Sequence, residues 1–372
     1  MTKYSISNVP MYFSPYTNDC FQNAFGSIVS YINLNPDLIL ADYLSFIYSP
    51  ETGYLGLNYL QKESGSVEFT EEELNTSLGY VYFPATTNFS MREAQKTKNI
   101  ENDQIKITWY VDDDKDIAYS RMKELIDNEI PVVVVVDLFY MRYHKAYQKE
   151  HGMHSVIVTG YNEEENYVEI FDKYRFSNCD FNGRFPIDEL MLARGSEYHS
   201  NTFCRAIRNL WMEFSNYKQF YYSEKRWKEI IEESCRRMYG EKDILRCKSG
   251  LGSIDAFRKD LIAKKAEKAD PSLMGFFRHY YSGVFRSLSR SRNRFSAFLI
   301  AVGSEIPEAL VTEVTSILKE AAKEWEICAN LSIRLSIVKD MNIIDKLNEQ
   351  LLSIRNYEKM AVDKLHKYIN AK

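Results

Sequence analysis

His154-Ser-Val-Ile-Val-Thr-Gly-Tyr161, then Asn162-Glu-Glu-Glu-Asn166, then Tyr167-Val-Glu-Ile-Phe-Asp-Lys-Tyr174 is the stretch whose reading decides the fold. Two runs rich in Val, Ile, Tyr and Phe flank five polar residues, the pattern of a β-hairpin. Reflection about a centre near Glu163 or Glu164 sets His154 roughly opposite Asp172, within one register step. Both numbers are even, so a symmetric pairing sends both side chains out of the same sheet face. Upstream, Val132–Val136 are five consecutive valines closed by Asp137. A short β-branched run of this kind reads as a strand buried on both faces.

Working outward, helix and strand signals mix before the hairpin. Phe21, Ala24, Phe25, Ile28, Val29 and Ile32 recur at helical spacing behind Cys20, with Asn18 or Asp19 as the N-cap. A second amphipathic piece is expected over Asp37–Ile47, followed by a Gly-rich turn at Gly53–Gly56. Residues 61–76 are polar and acidic and read as exposed, and Ile117–Asn128 reads as a helix ending before Pro131. Around Asn178–Gly183 the pattern breaks into loop. From about Ile187 onward nearly everything reads as helix, with breaks at Gly250–Ser253 and Asp270–Pro271 and long amphipathic runs over Val311–Trp325 and Met341–Ile369.

The composition, 45% hydrophobic and 27% charged over 372 residues, is that of a globular chain long enough for two domains. No stretch approaches the roughly 20 apolar residues that cross a bilayer, and Met1–Pro10 lacks a basic region followed by an apolar one. Six cysteines without a CxxC pair suggest neither a disulfide framework nor a zinc site, and a reducing cytoplasm fits free thiols. Met1–Ser200 holds 30 acidic and 16 basic residues, and Asn201–Lys372 holds 22 and 31. The balances, -14 and +9, sum to the net charge of -5. The charge shift and the loss of strand signal together predict a domain over 1–190 and a helical one over 191–372.

Cys20 at a helix start is where a nucleophile belongs, because the unpaired amides and positive dipole end favour a thiolate and face a developing oxyanion. His154 is the candidate base, and Asp172 the group that orients it. Cys alone, His alone or Asp alone reads more readily as a packed or turn residue. The order Cys, His, then Asp across a hairpin is the papain-like order. Cys179, in the expected loop, is the second-choice nucleophile. His151 competes as base, but an offset of three turns it to the other face and makes it a rim or substrate residue; His144 is weaker. His-x6-His-x2-His fits no recurrent zinc spacing, so no metal is expected.

Pro131–Tyr143, His151–Tyr161 and Val168–Asp172 together resemble the N-terminal domain of the butirosin biosynthesis protein H (BtrH-like) family, which is related to papain-fold and C39-like cysteine peptidases. The resemblance follows the order of elements over roughly residues 10–190. Asn293–Leu299 and the helix around Trp325 look similar to the helical region that follows in that family. It implies an α+β fold, papain-like, with an antiparallel sheet packed on an N-terminal nucleophile helix and an all-α C-terminal domain. It implies an acyltransferase acting in antibiotic or other natural-product biosynthesis. The founding member moves an aminoacyl chain from the phosphopantetheine thioester of an acyl carrier protein to an amine of an aminoglycoside. Cys20, His154 and Asp172 match the triad positions. Where the family is expected to carry His directly before the nucleophile, this chain has Asp19.

On this reading Asn18, Asp19 and Gln22 stand around the oxyanion. Asp137, Tyr140, Tyr143 and His151 line the substrate, and acids such as Asp112–Asp114 and Asp116 attract a cationic amine. Arg286, Arg290, Arg292 and Arg294 meet an acidic carrier protein. No cofactor is expected beyond the partner's phosphopantetheine, and neither nucleic acid nor membrane is an expected partner; the oligomeric state is open, a homodimer included. Two readings stay beside it. Water as acceptor makes a thioesterase, amidase or cysteine peptidase with the same triad, and a sealed, unreactive Cys20 makes a non-catalytic scaffold.

Overall fold

The computed structural model describes residues 2–17, 20–39, 41, 43–51, 53, 55–56, 97–101, 106–174, 179–198, 206–215, 224–244, 247–267 and 269–371. The chain divides into two compact units, one of Met1–Leu40 with Glu63–Tyr221 and one of Ala41–Lys62 with Tyr222–Lys372. This division does not follow the 190/191 boundary expected from charge. A segment of the acidic half packs with the C-terminal helices, and a strand beyond residue 200 joins the sheet.

The first unit is α+β. In chain order it holds β1 (Lys3–Ser5), α1 (Cys20–Tyr31) and the one-turn α2 (Pro36–Ile39). In the second unit, β2 (Ile47–Tyr48) pairs with β3 (Leu55–Gly56). The first unit resumes with β4 (Thr97–Glu101), β5 (Lys106–Tyr110), α3 (Lys115–Asp127), β6 (Val132–Asp137), β7 (Met153–Asn162), β8 (Tyr167–Tyr174), β9 (Cys179–Pro186), α4 (Ile187–Arg194) and β10 (Trp211–Ser215). The sheet runs β4-β5-β10-β6-β7-β8-β9, with β1 added to β7, and all of these pairs are antiparallel.

The valine strand is β6, and every residue in it is buried. Its even-numbered valines join Val156, Val158, Val168 and Ile170 in a core covered by Met122 and Ile126 of α3 and Leu190 of α4. α3 begins where Asp114 accepts the N–H groups of Asp116 and Ile117, a carboxylate cap. α1 packs on β6, β7 and β8. It buries Phe21, Phe25, Ile28 and Val29, each worth about 1.5–3 kcal/mol at most. Phe25 stacks on Phe214 of β10 at 4.7 Å. Gly26 allows residues 10–17 to lie along this helix, because a Cβ there would fall 2.0 Å from the Tyr12 ring.

Three local expectations are corrected. Over 37–47 the helix stops at Ile39, and Ile47–Tyr48 is a strand. The expected loop at 178–183 is β9, held residue by residue to β8 from Tyr174↔Cys179 to Tyr167↔Pro186; its exposed face carries the polar residues that hid it. Trp211–Ser215 is a strand inside the sheet, because Trp211 and Met212 find partners on β5 and β6 that only tertiary structure supplies. The 61–76 segment lies outside the described residues.

The second unit continues with α5 (Glu224–Met238), α6 (Leu251–Lys264), α7 (Pro271–Gly275), a π-helical turn (Phe276–Tyr281), α8 (Ser282–Val302), α9 (Glu308–Val338) and α10 (Ile343–Asn370). Asp270 caps α7 through the Leu273 N–H, at the break expected there. The centre of this unit is ionic. Arg292 and Glu358 are both fully buried and meet in a fork, with distances of 2.7 and 2.9 Å. Trp325 Nε1 donates to the same carboxylate at 2.8 Å, and Arg292 Nη1 reaches the Ser45 carbonyl at 3.0 Å. The arginine row expected to meet a carrier protein is therefore not a row on the surface. Arg292 and Arg294 are buried, Arg290 donates to Ser287 Oγ, and Arg286 pairs with Glu326. At helical spacing Arg286, Arg290 and Arg294 share a face and Arg292 turns away from it.

Candidate active site

β7 and β8 are joined through the turn Glu163–Asn166, and their pairing has two registers. Near the turn Asn162 pairs with Tyr167, Tyr161 with Val168 and Gly160 with Glu169. Continued, that register would set Asp172 against Ile157 and send it to the face opposite His154. A bulge between Val158 and Gly160 shifts the ladder, so that Val158 pairs with Ile170 and Ile157 with Phe171. Even residues then oppose even residues, and His154 and Asp172 share a face. Gly160 makes room for the shift. A Cβ there would lie 2.7 Å from Glu169 Oε2 and 3.0 Å from the Tyr4 carbonyl.

The described ladder stops at Ile157–Phe171. One step of two residues further, Ser155 and Lys173 would oppose each other. Helix α1 takes both of their backbone groups instead. The Ser155 N–H donates to Cys20 Sγ at 3.2 Å, and the Lys173 carbonyl accepts Asn23 Nδ2 at 3.0 Å. Asn23 Oδ1 in turn accepts the Ser14 N–H at 3.2 Å. Helix α1 is thus fastened into the opening between two strands. This puts the sulfur of its first residue on the backbone amide next to His154.

His154 Nε2 meets Asp172 Oδ1 at 2.8 Å, with both residues buried. Tyr143 Oη donates to Asp172 Oδ2 at 2.8 Å. Its ring stacks on Phe181 at 4.1 Å and meets Phe185 edge-on. Burial works against the His154 imidazolium, but the charges of Asp172 and Cys20, with hydrogen bonds to Asp172 and Cys179, outweigh it and hold its pKa well above the usual histidine range. Burial likewise works against an ionised Asp172, and His154, Tyr143 and Cys179 together bring its pKa below the usual carboxylate range. Burial, then the Asp172 charge, pushes the Tyr143 phenol upward, so it stays a donor. With Nε2 on Asp172, Nδ1 is the ring's second nitrogen. Cys20 is only half-buried, which counts against a sealed scaffold thiol.

Residues 39–173 match the family described as butirosin biosynthesis protein H, N-terminal. The chain carries a BtrH-like N-terminal domain. The match includes His154 and Asp172 and begins after Cys20. A search of curated proteins finds no match.

The first unit brings together Cys20, His154, Asp172 and Tyr143. It also brings in Cys179, whose pairing with Tyr174 across β8 and β9 sets its sulfur within 4.8 Å of the facing His154 and Asp172 atoms. Reading 178–183 as a loop concealed that contact. His154, Asp172 and Cys179 offer donor types that zinc accepts. Two ligands of one tetrahedral zinc stand about 3.3 Å apart, whereas His154 and Asp172 are already hydrogen bonded at 2.8 Å.

Asp137, Tyr140, Tyr143 and His151, expected around the substrate, have hydrogen-bond or ring partners within the protein. Tyr143 serves Asp172, although it was expected at the substrate. Asp137 and His151 form a separate pair, with Tyr140 edge-on to His151. His144 Nδ1 accepts the Ala146 N–H within its own turn. Gln22 is buried in α1, and Asn18 and Asp19 lie outside the described residues. The acids expected to attract an amine have local uses. Asp112 and Asp114 accept backbone N–H groups, and Asp113 holds Arg208. Among the described residues no helix is long and apolar enough to cross a membrane.

Proposed function

We propose that the protein is a cysteine-dependent acyltransferase of natural-product biosynthesis, moving an acyl or aminoacyl group from a carrier-protein thioester to an amine. The observation that carries this reading is a half-buried Cys20 sulfur on the Ser155 amide, beside a His154 fixed by Asp172. The family of the N-terminal domain supports the biosynthetic setting.

In the first half-reaction the Cys20 thiolate attacks the thioester carbonyl, and His154 gives its proton to the departing phosphopantetheine thiol. The backbone amide of Cys20, with Gln22 as a side-chain candidate, faces the oxyanion. In the second half an amine attacks the acyl-enzyme, His154 takes a proton, and Cys20 leaves as thiolate. Tyr143 acts through Asp172 and is a positioning residue. The papain-like arrangement of helix and sheet is part of the same proposal.

The test is intact-mass analysis after mixing with an acylated carrier protein. A mass increment on the wild-type chain that Cys20→Ser lacks supports the route. A wild-type chain that never gains the acyl group, under conditions where iodoacetamide labels Cys20, sinks it. Release of the adduct to water at the same rate with or without amines would instead identify a hydrolase.

A further inference from the structure

A second histidine–carboxylate pair is built at the same end of β6 and β7. Asp137 is fully buried, and four donors hold it. Its Oδ2 meets His151 Nδ1 at 2.6 Å and Ser196 Oγ at 2.7 Å. Its Oδ1 accepts the Gly152 N–H at 3.0 Å and the Phe139 N–H at 3.1 Å. The His151 ring is clamped between Phe139, 4.2 Å away and inclined by 7°, and Tyr198, 3.7 Å away and inclined by 10°. Tyr140 closes one edge. The clamp fixes the plane of the ring, and the Asp137 carboxylate holds Nδ1, which leaves Nε2 as the ring nitrogen outside this contact. The side chain keeps 22% of its surface exposed. The titratable groups facing it are Asp137, Tyr140 and Tyr198.

The pair lies close to the nucleophile's end of the sheet. Val136 is registered to His154, and Asp137 to Met153. Three residues of chain from His151 to His154 span at most about 10 Å. The Cys20 sulfur sits on the amide of the next residue, Ser155.

We infer that His151 is a second proton acceptor, serving the amine that receives the acyl group; this rests on the acyl-transfer reading above. An alkylammonium R–NH3+ arrives with three N–H bonds, and the amide product keeps one. The balance is Cys20–S–C(=O)–R′ plus R–NH3+ giving R′–C(=O)–NH–R, the Cys20 thiolate and two protons. The C–N bond forms, the C–S bond breaks, and sulfur keeps the electron pair. His154 takes one proton and again becomes the imidazolium beside the thiolate. The other goes to His151 Nε2. An amine that arrives neutral releases one proton and needs His154 alone. The second pair therefore points to strongly basic amines as the acceptor class.

The experiment uses the full chain, the acetyl thioester of N-acetylcysteamine as donor, and two acceptors at neutral pH. Propylamine is almost wholly protonated there, like a lysine side chain, and hydroxylamine is mostly neutral. His151→Gln is expected to acylate Cys20 at the wild-type rate. It should then lose about 100-fold in transfer to propylamine and about twofold or less to hydroxylamine. Equal losses with both amines, or no loss with either, overturn the inference. So does loss of the Cys20 adduct in both His151→Gln and His151→Phe, which would make the ring structural. If the wild-type chain itself forms no Cys20 adduct, it is the acyl-transfer reading that fails.

Discussion

Arg292–Glu358 in the helical unit and His154–Asp172 in the sheet unit are both buried, hydrogen-bonded pairs, yet they differ in what surrounds them. Arg292 gives its donors to Glu358 and to the Ser45 carbonyl, and Trp325 takes a further place on the carboxylate. Arginine does not lose its proton in the working pH range, so the network is closed and static. His154 can gain and lose a proton, and its neighbour Cys20 is half-buried. The same device, a carboxylate holding a cation away from water, makes a pin in one unit. In the other it sets a titratable ring near a half-buried sulfur, the arrangement on which the proposed acyl transfer rests.

Removing the sulfur tests the reactive side hardest. Cys20→Ser should cut acyl transfer by about 10⁴-fold or more with the fold retained, read as product formation alongside circular dichroism. Asp172→Asn should cost about 10³-fold. It should also move the alkaline limb of Cys20 alkylation to lower pH, because the carboxylate charge is what raises His154 against burial. An unmoved limb would mean that Asp172 does not control the ring.

The pH dependence of stability follows with opposite signs from the two partners. The raised His154 contributes stability that is complete below its unfolded value and is lost as pH rises through its folded value. The lowered Asp172 contributes stability that is complete above its unfolded value and is lost as pH falls through its folded value. Stability from this pair is therefore greatest between the ordinary Asp and His ranges, and denaturant midpoints across pH in wild type and Asp172→Asn measure it.

The static pair should answer in stability. Glu358→Gln leaves a buried guanidinium without its counter-charge and should cost about 3–5 kcal/mol, seen as a lower denaturant midpoint. The double change Arg292→Met with Glu358→Leu should recover most of that loss. Equal destabilisation by single and double variants would deny the pin its ionic character. The smallest effect is expected for Tyr143→Phe, which removes one hydrogen bond to a charged group, about 1.5 kcal/mol or tenfold in rate. Because Tyr143 helps lower Asp172, the acid limb of activity should move to higher pH. A rate loss without that movement would make the hydroxyl a packing feature only.

Periodicity and spacing made the hairpin, the valine strand, the helix behind Cys20 and the long C-terminal helices legible, because each of these segments carries its own repeat. Cys20, His154 and Asp172 could be chosen as a set from their order and even numbering. Tertiary structure alone decided the rest. The bulge before Gly160 puts His154 and Asp172 on one face, and it answers to the packing of Tyr4 and Glu169 around a glycine. Trp211–Ser215 is a strand because β5 and β6, distant in the chain, complete its hydrogen bonds, and Cys179–Pro186 is one because the preceding strand β8 does. Arg292 is a core residue because Glu358, 66 positions away, offers a counter-charge there. A sequence displays local repeats directly, whereas hydrogen-bond partners and the burial of charge depend on which distant segments meet.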